Sequence, residues 1–388
     1  MKKRIYLDHA ATTPLDKRVL KEMMPYFGNK FGNASSLHSF GQEAKIDLEK
    51  ARERVAKLIN AEPEEIIFTS GGSESDNLAL RGIAYANREK GNHIIASSIE
   101  HPAILRTVEG LENEGFRISI MPVGKDGFVD PEKIRAEINE KTILVSVMHA
   151  NNEIGTIQPI EEIAKICSEK NVYFHSDAVQ SFGKVKIDVK KVPVSMMSFS
   201  AHKIYGPKGI GALYVRKGTR IKPIITGGPQ ERKMRAGTEN VASAVGFAKA
   251  AELMHAEMDK ENKRLIGIRD YLIKELLKIS DSRLNGGPEK RLPNNVSIIF
   301  KYVEGESLLT MLDMEGIAVS TGSACSSASL KPSHVLLAIG CRAEEAHGSL
   351  RISLGRANTM EDAEFAVKKV PEIVAQLRRF SPLGKKDF

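Results

Sequence analysis

Ser198-Phe-Ser-Ala-His-Lys-Ile-Tyr-Gly-Pro-Lys-Gly-Ile-Gly211 is the stretch from which the fold can be read. The apolar run 192–199 leading into it reads as a buried strand, and it delivers Ser200, His202 and Lys203 at its end. Gly206, Pro207, Gly209 and Gly211 then impose an irregular turn before Ala212-Leu213 resumes. A lysine carried by a buried strand into such a turn loses solvation, which favours its free amine and suits it to Schiff-base formation with an aldehyde. Taken alone, a lysine that merely snorkels out of a strand end is the simpler reading. The rest of the chain decides between them.

The same arrangement recurs upstream. Residues 65–69, 93–97, 142–148 and 171–175 read as strands, and the residues after them include Gly72 and Ser73, His101, Asn152, and Asp177 with Gln180. Strands alternating with helical segments predict an α/β fold with a mostly parallel sheet and helices on both faces. Ligands of such sheets sit beyond the carboxyl ends of the strands. One polar strand end is only a turn. Five chemically different ones call for a site.

Further along, a helical pattern over 241–278, interrupted only by Gly246 and Gly267, leads to a second region. There 294–300, 318–320 and 350–354 read as strands, with helices over 306–315 and 361–379. The organisation expected is a large domain over 13–257 and a smaller α+β domain built from 1–12 and 258–388.

Composition narrows the function. The chain has 388 residues and a net charge of +8 from 57 cations and 49 anions, the signs interspersed, so neither nucleic-acid nor membrane binding is expected. Lys2, Lys3 and Arg4 are not followed by an apolar leader, and a cytoplasmic protein is the expectation. Three cysteines without a C-x-x-C pair point away from disulfides and structural zinc. Cys167 falls on the apolar side of a helical pattern, and Cys341 suggests no role. Cys325, in Ser320-Thr-Gly-Ser-Ala-Cys-Ser-Ser-Ala-Ser329, has only small neighbours and suits chemistry.

Gly71-Gly72-Ser73 opening a helix is a phosphate seat, although no G-x-x-x-x-G-K-[ST] occurs anywhere. A phosphate seat, an amine and a strand-end carboxylate together suggest pyridoxal 5′-phosphate, whose aldehyde takes a lysine and whose ring nitrogen takes an acid. Asp177 is that acid, or else simply the cap of a following helix.

Leu7-Asp-His-Ala-Ala-Thr-Thr-Pro14, Thr69-Ser-Gly-Gly-Ser-Glu-Ser-Asp-Asn77, His175-Ser-Asp-Ala-Val-Gln180, Ser200-Ala-His-Lys-Ile-Tyr-Gly-Pro-Lys-Gly209, Arg235-Ala-Gly-Thr-Glu-Asn240 and Gly322-Ser-Ala-Cys325 resemble, in order, the cysteine desulfurases of the IscS/NifS type. The resemblance implies a fold-type I pyridoxal-phosphate transferase with a seven-stranded type of sheet, acting as a homodimer. It implies that Lys203 binds the cofactor aldehyde, that His101 stacks on the ring and moves protons, and that Asp177 and Gln180 meet the ring nitrogen and ring hydroxyl. Gly72, Ser73, Ser200 and His202 would hold the phosphate with Thr238 of the partner subunit. Asn152, which would also contact the cofactor, and Arg351 would take the substrate carboxylate, assisted by Asn33. The implied reaction turns L-cysteine into L-alanine and leaves the sulfur on Cys325 as a persulfide. That sulfur would go to an iron–sulfur scaffold protein and other acceptors, tRNA thiolation among them. Cys325 would also be the candidate ligand of a transient [2Fe–2S] cluster. Selenocysteine lyase and plain aminotransferase are the competing activities; the latter would not need Cys325. The tail begins like that of IscS at Phe380-Ser-Pro-Leu383 but continues differently through Gly384-Lys-Lys-Asp-Phe388, so the docking partner is the least defined part.

Overall fold

A computed structural model describes residues 4–322 and 332–381 of the protein. Cys325 and the tail from residue 382 lie outside the described residues. The main sheet has seven strands in the order Ile66–Thr69, Gly211–Val215, Met196–Ser200, Tyr173–Asp177, Thr142–Ser146, His93–Ser97 and Arg117–Met121. Only Gly211–Val215 runs against its neighbours, so the sheet is mostly parallel as expected.

Three central strands are buried along their whole length, which is why they read as unbroken apolar runs. Alternate residues enter two cores. Ile95, Val145, Met197 and Phe199 pack on one face, and Ile94, Ala96, Leu144 and Met196 on the other.

The strand expected over 192–199 begins only at Met196. Pro193 has no N–H for a ladder, and the carbonyls of Val189, Val192 and Val194 are taken by the guanidinium of Arg216. At its other end the strand runs on to Ser200, opposite Gly211. A Cβ on Gly211 would lie 2.5 Å from the Phe199 carbonyl oxygen and 2.7 Å from Gly71, so the turn closes only with glycine there.

A third core lies around an antiparallel sheet of Ser349–Ser353, Asn295–Phe300 and Ser282–Leu284. Beside it Ile5–Tyr6 pairs in parallel with Ile317–Ala318. One helix, Val241–Leu276, runs for 36 residues through both regions. Its first half packs into the core that holds Phe199, and Leu265, Ile268, Leu272 and Leu276 pack into the third core. The two glycines that mark it in sequence do not break it. Gly246 is a close contact, with a Cβ there lying 2.5 Å from Met23 Sδ, whereas nothing lies within 4 Å of one at Gly267. Gly267→Ala is therefore expected to stabilise the protein by about 1 kcal/mol, and Gly246→Ala to destabilise it, in urea unfolding.

Candidate active site

The carboxyl ends of the strands surround a cavity of about 610 Å³, within the range that encloses cofactor-sized ligands. Lys203 ends a short 3₁₀ turn, Ala201–Lys203, directly after the strand Met196–Ser200. Its Nζ donates to the carbonyls of Ala10 at 2.6 Å and Ala11 at 2.7 Å.

Opposite, the helix Gly72–Asn87 starts at the cavity with Gly71 at φ +155°. A Cβ on Gly72 would come within 2.7 Å of Val179 Cγ2, so Val179 can pack this close to the helix start only because residue 72 has no side chain, and the helix start faces the cavity with its backbone amides. Gly72, Ser73, Ser200 and His202 all line the cavity. His202 Nδ1 lies 3.1 Å from Thr12 Oγ1, and burial beside Lys203 and Lys208 lowers its pKa to about 4. A neutral His202 can offer a ring N–H to an oxyanion without adding charge.

Asp177 is the last residue of its strand rather than the first residue after it, and its Oδ1 accepts from Val179 N at 2.8 Å. Burial pushes its pKa up to about 6, while the Val179 amide and Lys203 pull it back. Two further buried carboxyls surround it. Asp76 is raised well above the usual carboxylate range by burial and by Asp177, and Glu100 is pushed up to about 8, chiefly by burial. His175 lies neutral between Ser146 and Ser198, 2.9 Å from each hydroxyl. One cationic ring nitrogen brought to Asp177 would complete this acidic floor, and these residues therefore fit a pyridoxal ring.

The Glu100 shift has a sign that can be tested. Between about pH 4.5 and pH 8 the unfolded chain releases a proton that folded Glu100 keeps, so stability falls as pH rises, by up to about 1.4 kcal/mol per pH unit. Glu100→Gln is expected to raise the melting temperature at pH 8 and to change it little at pH 5.

His101 caps the helix Pro102–Asn113, its Nδ1 accepting from Ala103 N at 3.1 Å. That bond fixes the neutral ring with its proton on Nε2. Burial, with Lys203 and His334 nearby, lowers its pKa to about 4.

Arg351, in the strand Ser349–Ser353, is almost wholly buried at the cavity. Its Nη2 pairs with Asp8 at 2.8 Å, its Nη1 donates to the Asn152 carbonyl at 3.3 Å, and its Nε has no partner among the described residues. An unpaired, buried guanidinium N–H suits a carboxylate ligand.

Ten of the residues singled out by sequence thus line one cavity: Gly72, Ser73, His101, Asn152, Asp177, Gln180, Ser200, His202, Lys203 and Arg351. Asn33 and Thr238 do not; both are exposed, and Asn33 Oδ1 accepts from Ser35 N at 2.9 Å. Cys325 lies outside the described residues, but Gly322, Pro332 and Ser333 on either side of it line the cavity. Neither other cysteine is suited to chemistry. Cys167 is buried in the core with its thiol pushed up to about 12, and buried Cys341 accepts from Arg283 Nη2 at 2.6 Å. No group of three or more metal-ligating side chains occurs among the described residues.

Sequence reasoning missed the role of residues 8–13. This segment pairs Asp8 with Arg351, gives the Ala10 and Ala11 carbonyls to Lys203 and the Ala10 carbonyl to Gln180, and places Thr12 on His202. It forms a strap across the site, and the quoted motif Leu7-Asp-His-Ala-Ala-Thr-Thr-Pro14 was its signal. Asp76, Glu100 and Glu153 were missed too, since one acid near a turn carries no distinguishing pattern.

The profile of the aminotransferase class-V family matches residues 5–365, and the chain belongs to that family. Within it, the chain is 54% identical over 383 residues to the cysteine desulfurase IscS of Dictyoglomus turgidum, covering 98% of this chain and 97% of that one. It is equally 54% identical over 386 residues to the IscS of Methanosarcina thermophila, covering 100% and 96%. Among solved structures, a NifS-like protein superposes with a TM-score of 0.91 at 41% identity, covering 97% of this chain and all of that one.

Proposed function

We propose that this protein is a pyridoxal-phosphate-dependent cysteine desulfurase that converts L-cysteine to L-alanine and takes the sulfur onto Cys325 as a persulfide. The observation that carries the reading is the convergence of Lys203, Asp177, Arg351 and an uncovered helix start on one cavity, beside the ends of the segment that contains Cys325.

When bound, the cofactor supplies an electron sink for substrate Cα. Gly72, Ser73, Ser200 and His202 would hold its phosphate, joined by Thr238 of the partner subunit. Asp177 would meet the ring nitrogen, and the Gln180 amide, fixed by donating to the Ala10 carbonyl at 3.0 Å, would meet the ring hydroxyl. His101 would stack on the ring. Lys203 would take the aldehyde, and its free amine would remove the substrate Cα proton. Arg351 and Asn152, with Asn33 assisting, orient the substrate carboxylate. The Cys325 thiolate then forms an S–S bond to the substrate sulfur as the C–S bond breaks, and the carbon keeps the electron pair and takes up a proton.

The active form is a homodimer. Phe31 and Phe40, whose ring centroids lie 5.5 Å apart, are exposed, as are Phe27 and Leu37 near Asn33 in sequence, and a second copy would cover them; sedimentation velocity tests this. No helix among the described residues is long and apolar enough to cross a membrane, and the proposed site of action is the cytoplasm. There the sulfur goes to an iron–sulfur scaffold and, as a second destination, to tRNA thiolation. The division between the large and small domains is placed at 257/258, within the long helix.

Incubation with L-cysteine tests the activity. With reductant, alanine and sulfide should form in equal amounts over many turnovers. Without it, alanine should stop near one per Cys325, because the persulfide is not cleared. Sulfide without alanine would overturn the proposal.

Asp177→Asn is expected to keep the fold, since the amide oxygen can still accept from Val179 N, yet to slow Cα deprotonation by about 10²-fold or more. Solvent-deuterium exchange at Cα is the measurement, and a rate near wild type would leave Asp177 as only a cap.

A further inference from the structure

Glu153 follows the strand Thr142–Ser146 in His149-Ala-Asn-Asn-Glu153, and the chemistry above gives it no part. Its side chain lines the cavity but is only 5% exposed. The backbone fixes where it starts: Glu153 N donates to Asn151 Oδ1 at 2.8 Å, and the Glu153 carbonyl accepts from Asn295 Nδ2 at 3.1 Å.

The carboxylate then reaches two places that are eleven residues apart in sequence. Ser333 Oγ donates to Glu153 Oε2 at 2.5 Å. The same hydroxyl accepts from Val335 N at 3.1 Å and Leu336 N at 3.3 Å, so it is fully used and fixed at the start of the helix His334–Ala338. On the other side, a Cβ placed on Gly322 would lie 2.4 Å from Glu153 Oε2, so the carboxylate rests directly against the backbone of residue 322. One buried carboxylate touches both Gly322 and Ser333.

We propose that Glu153 is a positioning residue that fastens both ends of the Cys325 segment to the cavity and so sets where the thiol can act. Cys325 follows Gly322 by three residues, and three residues of chain span at most about 11 Å. Where Gly322 is held therefore fixes the radius within which the sulfur works. The buried hydrogen bond to Ser333 holds the far end in the same way. A side chain at 322 would have to displace the carboxylate from its place. The inference rests on the proposed desulfurase reaction for its meaning, but the fastening itself can be measured separately.

The experiment compares Glu153→Ala, Glu153→Gln and Ser333→Ala holoenzymes with wild type in three readouts. These are the change in the cofactor spectrum on mixing with cysteine, alanine formed in a single turnover, and the rate at which iodoacetamide alkylates Cys325, read by mass spectrometry. Ser333→Ala is the gentler variant and guards against misfolding of Glu153→Ala. Expected for both alanine variants are a spectral change within about twofold of wild type, alanine formation slowed by about tenfold, and a shifted alkylation rate. Glu153→Gln, whose amide oxygen can still accept from Ser333, should stay within about threefold. Unchanged alkylation together with unchanged alanine formation in the alanine variants overturns the proposal. So does a spectral change lost in step with alanine, which would make Glu153 part of the cofactor site. If alkylation shifts but Cys325→Ser forms alanine normally, the fastening stands and the persulfide reaction falls.

Discussion

Lys203→Ala protein is expected to lack the visible absorbance of lysine-bound cofactor and to form alanine at least about 10³-fold more slowly than wild type. In the proposed reaction two functions leave with one amine: the group that binds the aldehyde and the base that takes the Cα proton. The fold should survive. Of the two carbonyls to which Lys203 Nζ donates, that of Ala10 keeps a second donor in Gln180 Nε2, and that of Ala11 loses the partner described for it. An orphaned acceptor costs about 1–3 kcal/mol when fully buried, which a protein of this size tolerates. Circular dichroism should therefore match wild type while absorbance and alanine are lost. Alanine formation at the wild-type rate would remove Lys203 from the reaction.

Cys325→Ser should bind cofactor and cysteine, change its spectrum on mixing, and form almost no alanine. In the proposed reaction Lys203, Asp177 and His101 act before the sulfur moves and do not depend on the thiol. Breaking the C–S bond needs a soft, ionised nucleophile, and a serine hydroxyl stays protonated near neutral pH. The other cysteines cannot substitute. With its thiol at about 12, Cys167 is ionised in roughly one molecule in 10⁴–10⁵ near pH 7.5, and it is buried in the helix Ile160–Glu169. Cys341 is likewise raised by burial, and its sulfur already accepts from Arg283. Mixing each Cys→Ser variant with cysteine and assaying alanine tests this directly. A normal yield from Cys325→Ser would overturn the persulfide route.

The sheet was legible because its central strands are buried on both faces and so are continuously apolar. The ends of the strands were less legible, for a physical reason. The strand expected over 171–175 runs as Tyr173–Asp177, because Ser176 and Asp177 continue the ladder beside Met197 and Ser198 although they are polar. Neighbouring His175 stays inside the sheet because Ser146 and Ser198 satisfy it from the adjacent strands, and one chain segment cannot show that. Arg117–Met121 was missed because it is an edge strand, half exposed and without an apolar run. Of the site, residues delivered by strand ends were legible from position alone. Arg351 and Asn33 were reached only through family resemblance. Asp8 and Glu153 act through contacts with residues far along the chain, and no local pattern encodes those.

The strap of residues 8–13 bears on how the protein is made. It is made before the residues that hold it: Ala10 N donates to Ser353 Oγ and Asp8 pairs with Arg351, each 343 residues later, while Gln180, His202 and Lys203 follow it by at least 170. Contacts so distant in sequence form late and slowly. A nascent chain that has completed its main sheet still lacks the arginine and the serine that anchor the strap. The cavity can therefore be finished only after residue 353 has been synthesised, and tight retention of cofactor becomes a mark of a chain that has passed that point.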